Sequence, residues 1–163
     1  MERLSASRED YLEAILLLLE KEPVVRVRDL ARYLGVRMAS VTGMVKTLAK
    51  DGLVVYKPYG YVLLTDEGRS QAERVLHRHK AIKEFLVSVL GVVSERAEEV
   101  ACRLEHVLDG EMVERFAAFS EFVRRCPRCG GTFLAHFVRF CEKGAIDEDE
   151  CKRCVLGLGG AEK

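Results

Sequence analysis

The sequence lacks three features that often point directly to function. Its longest apolar run, LEAILLLLE, is bounded by carboxylates and is far shorter than the ~18 residues of a transmembrane helix, so no membrane association is predicted. The first residues, MERLSASRED, lack the apolar core of a signal peptide, which predicts a cytoplasmic protein. The formal net charge is zero, and overall charge therefore says nothing about a nucleic-acid partner.

What is present is an uneven distribution of charge along the chain. Of the 163 residues 48% are hydrophobic and 32% charged, which is typical of a soluble, helix-rich globular protein. Residues 22–65 contain seven basic and three acidic side chains, a net charge of +4. Residues 94–121 contain three basic and eight acidic side chains, a net charge of −5. The asymmetry favours one section that faces phosphates and another that faces cations.

The first part of the chain predicts a winged helix-turn-helix. Ser7, with Asp10 three residues later, forms a capping-box pattern at the start of a first helix that Pro23 closes. Two short helical patterns follow in VRVRDLARYLG and VRMASVTGMVKTLAKDG, and each ends at a glycine. The β-rich runs LVVYK and YVLLT then predict a hairpin, the wing of the motif.

The second of the two short helices has the composition of a DNA recognition helix. Such a helix needs small or polar side chains where it meets base edges and phosphates. Taken singly, each lysine or arginine is best explained as a solvated side chain, but as a set on one motif they favour DNA contact. The helix has no Asn or Gln, so the operator sequence cannot be read from it. The candidate DNA-binding residues are Arg37, Ala39, Ser40, Thr42, Gly43, Lys46, Thr47 and Lys50, with Lys57 and Tyr59 at the wing tip.

Further helices are predicted from Asp66 to about Leu90, from a Ser94 cap through Leu108, and from about Glu111 to Arg125. The middle one contains Cys102, Glu105 and His106, whose helical spacing places them around one face. Thiolate, carboxylate and imidazole together suit a divalent transition metal better than magnesium or calcium. Alone, the triplet is better explained as a core thiol beside two solvated side chains, because a cysteine on a helix is more often a small buried hydrophobic residue.

Side chains elsewhere favour the metal. Asp10 and Glu13 are three residues apart on the first helix, and His77 and His79 lie on the long one, where one of them must face away. A metal site formed from separate helices of one protein is a known arrangement.

These motifs resemble the diphtheria toxin repressor family of metal-dependent repressors, which includes manganese-sensing members. The resemblance covers residues 5 to about 125 and is carried by EDYLEAI, SVTGMVKTLAKDGLV, LTDEGR, HRH and EEVACRLEHVL. It implies a homodimeric winged-helix repressor that binds operator DNA when Fe(II) or Mn(II) is bound. It also implies one metal centre formed by Asp10, Cys102, Glu105 and His106, and a neighbouring centre that involves His79 and Glu98.

The sequence also departs from the patterns of this family. Asp10 and Glu13 match the manganese-sensing members, whereas Cys102 matches the iron-sensing ones and favours Fe(II). Lys83 stands where an ancillary carboxylate is expected, which would weaken or rewire the second centre. Gly43 stands where iron-sensing members have a base-contacting glutamine, which implies a different operator.

The last section has a cysteine pattern of its own, C-x2-C-x21-C-x2-C. Four thiolates at this spacing are strong evidence for a structural Zn(II) site, formed by Cys126, Cys129, Cys151 and Cys154. Cys141 and His136 are alternative ligands, and an iron–sulfur cluster also remains open. The predicted fold is mainly α, with a winged helix-turn-helix domain at 1–72, an all-helical metal-binding and dimerisation domain at 73–125, a zinc-ribbon-like or knuckle segment at 126–156 and a disordered tail at 157–163.

A winged helix with a zinc ribbon also suits a general transcription factor that docks on RNA polymerase. Such a factor would not require the set of Asp10, His79, Cys102, Glu105 and His106, which therefore discriminates between the two classes. An enzyme is not predicted, because the only nucleophile and base in proximity, Cys102 and His106, are better used as metal ligands.

Overall fold

The architecture is known from a computed structural model, which describes residues 4–57, 60–126, 131–144, 146, 148, 149 and 152. Its helices and strands are α1 Ala6–Leu19, α2 Val27–Leu34, α3 Met38–Lys50, β1 Val54–Tyr56, β2 Val62–Leu64, α4 Asp66–Ser88, α5 Ser94–Leu104, α6 Gly110–Arg125 and α7 Gly131–Lys143. The chain divides between Arg78 and His79, within α4, into two compact units. None of the helices described here is both long and apolar enough to cross a lipid bilayer.

The first unit is a winged helix-turn-helix, as the sequence predicts. Apolar side chains at helical spacing on α1, α2 and α3 converge on one core, in which Leu12, Leu30 and Leu48 are completely buried. The turn after α2 depends on Gly35, which has a φ of 67° and donates its N–H to the carbonyl of Ala31. This left-handed conformation ends the helix and lets α3 start three residues later, at Met38.

The wing is a two-stranded antiparallel hairpin. Val54 pairs with Leu64, and Tyr56 pairs with Val62. The Val62 N–H also donates to the Val25 carbonyl at 2.7 Å, which extends the pairing to the chain between α1 and α2. The predicted hairpin is confirmed, although Pro58 and Tyr59 of its tip lie outside the described residues.

A close backbone approach joins the wing to the start of α4. Thr65 Oγ1 donates to the Gly52 carbonyl at 2.8 Å and accepts the Gly68 N–H at 3.0 Å, so Thr65 acts as the cap of α4. A Cβ atom added to Gly68 would overlap the carbonyl oxygen of Leu53. Glycine is therefore required in the LTDEGR motif for packing.

The second unit has a core formed mainly by α4, α5 and α6. Ile82, Ala97 and Val113 are buried there, and the rings of Phe85 and Phe116 stack with centroids 4.4 Å apart. Gly91, with a φ of 68°, lies in the turn after α4 and so close to Val138 of α7 that a Cβ atom would not fit. Thus α7 packs on the turn between α4 and α5.

Several predicted helix boundaries are corrected. Ser7 lies inside α1, because Ser5 adopts the extended backbone of the N-cap and its carbonyl accepts the N–H groups of Arg8 and Glu9. Likewise Val93, not Ser94, is the N-cap of α5. That helix ends at Leu104, not Leu108, since the chain must turn before Asp109, whose carboxylate caps α6 by accepting the Met112 N–H at 2.8 Å.

Candidate metal centre and DNA-binding surface

The candidate recognition helix α3 presents its polar side to solvent. It buries Val41, Val45 and Leu48 in the core of the first unit, which fixes the opposite face outward. Two of the candidate DNA contacts, Thr42 and Thr47, are half-buried. The others on this helix and its N-cap are exposed: Arg37, Ala39, Ser40, Gly43, Lys46 and Lys50.

The two threonines of this surface are bonded to their own helix. Thr42 Oγ1 donates to the Met38 carbonyl at 2.9 Å, and Thr47 Oγ1 donates to the Gly43 carbonyl at 3.2 Å. Each hydroxyl proton is therefore engaged, and a ligand would meet a methyl group and an acceptor oxygen. Of the wing residues, Lys57 is exposed and its Nζ lies 5.7 Å from the centroid of the Tyr61 ring. Tyr59 lies outside the described residues.

The first helix contains three acidic residues, of which two, Asp10 and Glu13, are predicted metal ligands. Asp10 and Glu13 are partly buried. Glu9 is only 4% exposed, and its Oε1 lies 2.8 Å from a guanidinium nitrogen of Arg78 on α4. Sequence reasoning missed this ion pair, although one signal was available: Glu9 occupies the same helical stripe as Leu12 and Leu16, where a carboxylate is buried only with a partner.

His79 is the centre of the candidate metal site in the second unit. Its Nδ1 lies 2.7 Å from Oε2 of Glu105 and 3.8 Å from the sulfur of Cys102, while its Nε2 lies 3.2 Å from Oε1 of Glu98. His79 is 7% exposed, whereas His77 is exposed, so one of the two histidines does face away. The other carboxylate oxygen of Glu105 lies 3.4 Å from Nε2 of His106.

Burial argues against the ordinary explanation of the Cys–Glu–His triplet. Cys102 is exposed rather than a core thiol, and Glu105 is 1% exposed rather than solvated. Burying a carboxylate is unfavourable unless positive charge or hydrogen-bond donors compensate it. Glu105 is held just beyond the end of α5, where its N–H donates to the carbonyl of Ala101 at 3.0 Å.

Glu98 has two cationic or potentially cationic neighbours. Its Oε2 lies 2.6 Å from Nζ of Lys83, and its Oε1 faces His79. The hydrogen bond from Lys83 is the main cause that lowers the pKa of Glu98 below its usual value, and His79 adds to the effect. Lys83 therefore contacts the candidate site directly, at the place where a carboxylate was expected.

The donor set fits a divalent transition metal. One ligand atom from each of His79, Glu98 and Cys102 lies within 4.8 Å of the others. Metal bonds of about 2.0–2.3 Å place neighbouring ligand atoms roughly 3–4 Å apart, so modest side-chain movement completes the geometry. When one ring nitrogen of a histidine binds a metal, the other commonly donates to a carboxylate, which is the role that Glu105 or Glu98 can take.

The cysteine-rich end is described only in part. Cys126 is the C-cap of α6 and is partly buried, and α7 occupies much of the segment between the two cysteine pairs. Cys129, Cys151, Cys154 and the tail at 157–163 lie outside the described residues. Cys141 is exposed on α7, and His136 is partly buried on the same helix.

The two units thus define a class of protein: a winged-helix DNA-binding unit followed by a helical unit with a transition-metal donor set. Residues 3–62 match the N-terminal DNA-binding domain of iron-dependent repressors, and residues 65–134 match the metal-binding and dimerisation domain of the same repressors.

Individual relatives agree with these matches. The chain is 42% identical over 119 residues to an uncharacterised HTH-type transcriptional regulator of Methanocaldococcus jannaschii, covering 72% of this chain and 95% of the relative. It is 34% identical over 116 residues to the regulator MntR of Bacillus pumilus, covering 71% of this chain and 80% of that protein. A solved manganese-dependent transcriptional repressor in complex with manganese superposes with a TM-score of 0.66 at 32% identity, covering 74% of this chain and 56% of the other.

The chain therefore belongs to the iron-dependent repressor family. It spans a little over half the length of the solved manganese-dependent repressor. The family consists of metal-dependent transcriptional regulators rather than enzymes, which confirms the predicted resemblance, fold class and class of function. It also favours a repressor over a general transcription factor that docks on RNA polymerase.

Proposed function

We propose that this protein is a homodimeric repressor that binds operator DNA when Fe(II) or Mn(II) is bound and thereby controls genes of metal homeostasis. The observation that carries the proposal is the buried carboxylate of Glu105, held against His79 with Cys102 and Glu98 beside it. Buried acid next to imidazole and thiol is a receptor for a soft or borderline divalent cation. Since the partner is chromosomal DNA, the proposed location is the cytoplasm.

The proposed regulatory ligands are drawn from both units. Cys102, Glu105, His106, His79 and Glu98 belong to the second unit. Family membership supports Asp10 and Glu13 of α1 as further carboxylate ligands. A metal that binds both sets would favour the arrangement of the dimer in which two recognition helices reach successive major grooves. The shift equals the difference between the metal's affinity for this arrangement and its affinity for the arrangement that does not fit the DNA.

The choice between Fe(II) and Mn(II) rests on the donor types. Thiolate ligands favour iron over manganese, whereas carboxylates suit manganese. Cys102 therefore favours Fe(II), while Asp10 and Glu13 keep Mn(II) as the alternative co-repressor.

The proposed DNA-binding residues on α3 combine exposed cations with small side chains. Arg37, Lys46 and Lys50 suit phosphates, since contacts of this kind fix position on the duplex. Ala39, Ser40 and Gly43 leave room for base edges, and the methyl groups of Thr42 and Thr47 suit apolar contacts such as the thymine methyl. Lys57 and Tyr59 are proposed as backbone contacts of the wing.

A homodimer is proposed because operator sites of winged-helix repressors are read by two recognition helices. Two sets of apolar side chains are candidates for the interface: a first set of Phe85, Leu86 and Val89, and a second set on α6 of Phe116, Phe119 and Phe122. Leu86 and Val89 of the first set are buried within the chain itself. Phe119 and Phe122 of the second set are 47% and 58% exposed, which supports α6 as the contact surface between two copies.

The metal switch is tested by DNA binding. The affinity for the DNA upstream of the protein's own gene is measured with and without Fe(II) or Mn(II), for the wild type, for Glu105→Ala/His106→Ala and for the exposed control Glu111→Ala. We expect metal to raise the affinity of the wild type and of the control by roughly 5- to 150-fold, the usual range of coupling between two sites. The double variant should not respond. Equal affinity of every protein in every condition would exclude a metal switch.

The structural Zn(II) site formed by Cys126, Cys129, Cys151 and Cys154 remains a proposal based on cysteine spacing. Metal analysis of the full chain and of a chain truncated after Arg125 tests it. The truncated chain should contain about one zinc fewer per molecule. An unchanged zinc content would exclude the site. Detection of iron and inorganic sulfide in the full chain would instead indicate an iron–sulfur cluster.

A further inference from the structure

Lys83 and His79 lie four residues apart on α4 and both reach Glu98 on α5. His79 Nε2 lies 3.2 Å from one carboxylate oxygen, and Lys83 Nζ lies 2.6 Å from the other. Because residues four apart share one helix face, the imidazole and the ammonium approach the carboxylate from the same side. Both oxygens of Glu98 are therefore engaged by α4.

The three side chains differ in their freedom to move. The side chain of His79 is 9% exposed, whereas those of Lys83 and Glu98 are 36% and 50% exposed. The imidazole is held by packing, but the lysine has four rotatable bonds and open solvent beside it. Lys83 can therefore leave Glu98 while His79 stays in place.

We propose that the Lys83 ammonium is a built-in cation that competes with a divalent metal for Glu98, and so sets which metals the cluster of His79, Glu98 and Cys102 accepts. The inference rests on the proposed function, since it assumes that this cluster binds metal. A metal gains the Glu98 carboxylate only when Lys83 swings out into water. Until then the metal meets the repulsion of a positive charge and finds only the imidazole and the thiolate.

The consequence is a preference among metals. Imidazole and thiolate alone retain soft and borderline ions, whereas Mn(II) depends on oxygen donors such as Glu98. Lys83 therefore weakens Mn(II) binding more than it weakens the binding of a thiophilic ion such as Cd(II). A single lysine thus makes the cluster selective without itself binding the metal.

The test measures the affinities of the full-length chain for Mn(II) and Cd(II) by calorimetry. Lys83→Met removes the charge and keeps the length of the side chain, and Lys83→Gln is a second variant that retains polarity. Lys80→Met, an exposed lysine on the same helix, is the matched control. We expect both Lys83 variants to bind Mn(II) about tenfold more tightly and Cd(II) less than about threefold more tightly, as removal of one nearby like charge predicts. The control should equal the wild type.

A second comparison tests whether Lys83 acts on metal affinity through Glu98. In a Glu98→Gln background the contested carboxylate is absent, so Lys83→Met should change Mn(II) affinity by less than about threefold. An undiminished gain in that background, or equal gains for Mn(II) and Cd(II), would overturn competition for Glu98. Unchanged Mn(II) affinity in both Lys83 variants would also overturn it. If the wild type binds neither ion and its affinity for DNA does not change with metal, the proposed function itself fails. This result differs from the results that would overturn only the role of Lys83.

Discussion

Among the residues that the structure describes, each of the two units buries one glutamate, and the two are compensated differently. In the first unit Glu9 is 4% exposed and faces the guanidinium of Arg78. In the second unit Glu105 is 1% exposed and faces the imidazoles of His79 and His106. A guanidinium is always charged, whereas an imidazole is charged only when protonated and otherwise offers a lone pair to a metal.

This difference distinguishes a structural ion pair, formed by Glu9 and Arg78, from a candidate metal-binding site around Glu105. The Glu9 carboxylate is compensated within the protein by the Arg78 guanidinium, so this ion pair fixes α1 to α4 in the first unit. The imidazoles beside Glu105 can instead bind a metal, so the stability of this site depends on the metal that the solution supplies. The same residue type is thus used once for folding and once, as we propose, for sensing.

The largest expected effect comes from breaking the structural pair. Arg78→Met leaves the Glu9 carboxylate buried without its guanidinium and should lower the free energy of unfolding by about 3–5 kcal/mol. Urea denaturation followed by circular dichroism measures this loss. Arg74→Met, whose pair with Glu67 is exposed and 3.8 Å apart, is the control and should cost less than about 1 kcal/mol. Equal losses in the two variants would contradict the assignment, and Glu9→Met added to Arg78→Met should restore most of the stability.

An intermediate effect is expected at the receptor, and only when metal is present. Wild-type protein at a free Mn(II) concentration of 100 times Kd should gain about 2.7 kcal/mol in unfolding free energy. Glu105→Gln keeps the shape of the side chain but removes its charge, so this gain should fall below about 1 kcal/mol. Thermal unfolding with and without Mn(II) measures both proteins, with the exposed Glu111→Gln as the control. A full metal-induced gain in Glu105→Gln would exclude Glu105 as a ligand.

The smallest effect is expected where both charges are in water. Arg115 lies 3.0 Å from Glu111, one helical turn away, and their side chains are 71% and 76% exposed. Arg115→Ala should lower the unfolding free energy by only about 0.3–0.5 kcal/mol, and less at high salt. Urea denaturation at two salt concentrations checks this. A loss above about 1 kcal/mol would mean that solvent exposure does not distinguish the weak ion pairs from the strong one.

Local patterns were sufficient for most of the fold. Apolar residues at helical spacing, Gly35 in the turn and the β-rich runs around the wing predicted the winged helix correctly, because each signal acts within a few residues. The exact helix ends were not predicted. Ser7 and Ser94 have the right chemistry for a cap, but the backbone path places Ser5 and Val93 at those positions.

The sequence by itself determined the class of protein and the types of donor: a DNA-binding motif and a Cys–Glu–His triplet on one short stretch. Only the tertiary structure decided which of these donors are buried and what they touch, because burial and contacts between α4 and α5 depend on packing across many residues. It made Cys102 exposed and Glu105 buried, and it brought Lys83 to 2.6 Å from Glu98. Sequence spacing identifies the possible ligands, whereas tertiary packing determines which residues they contact.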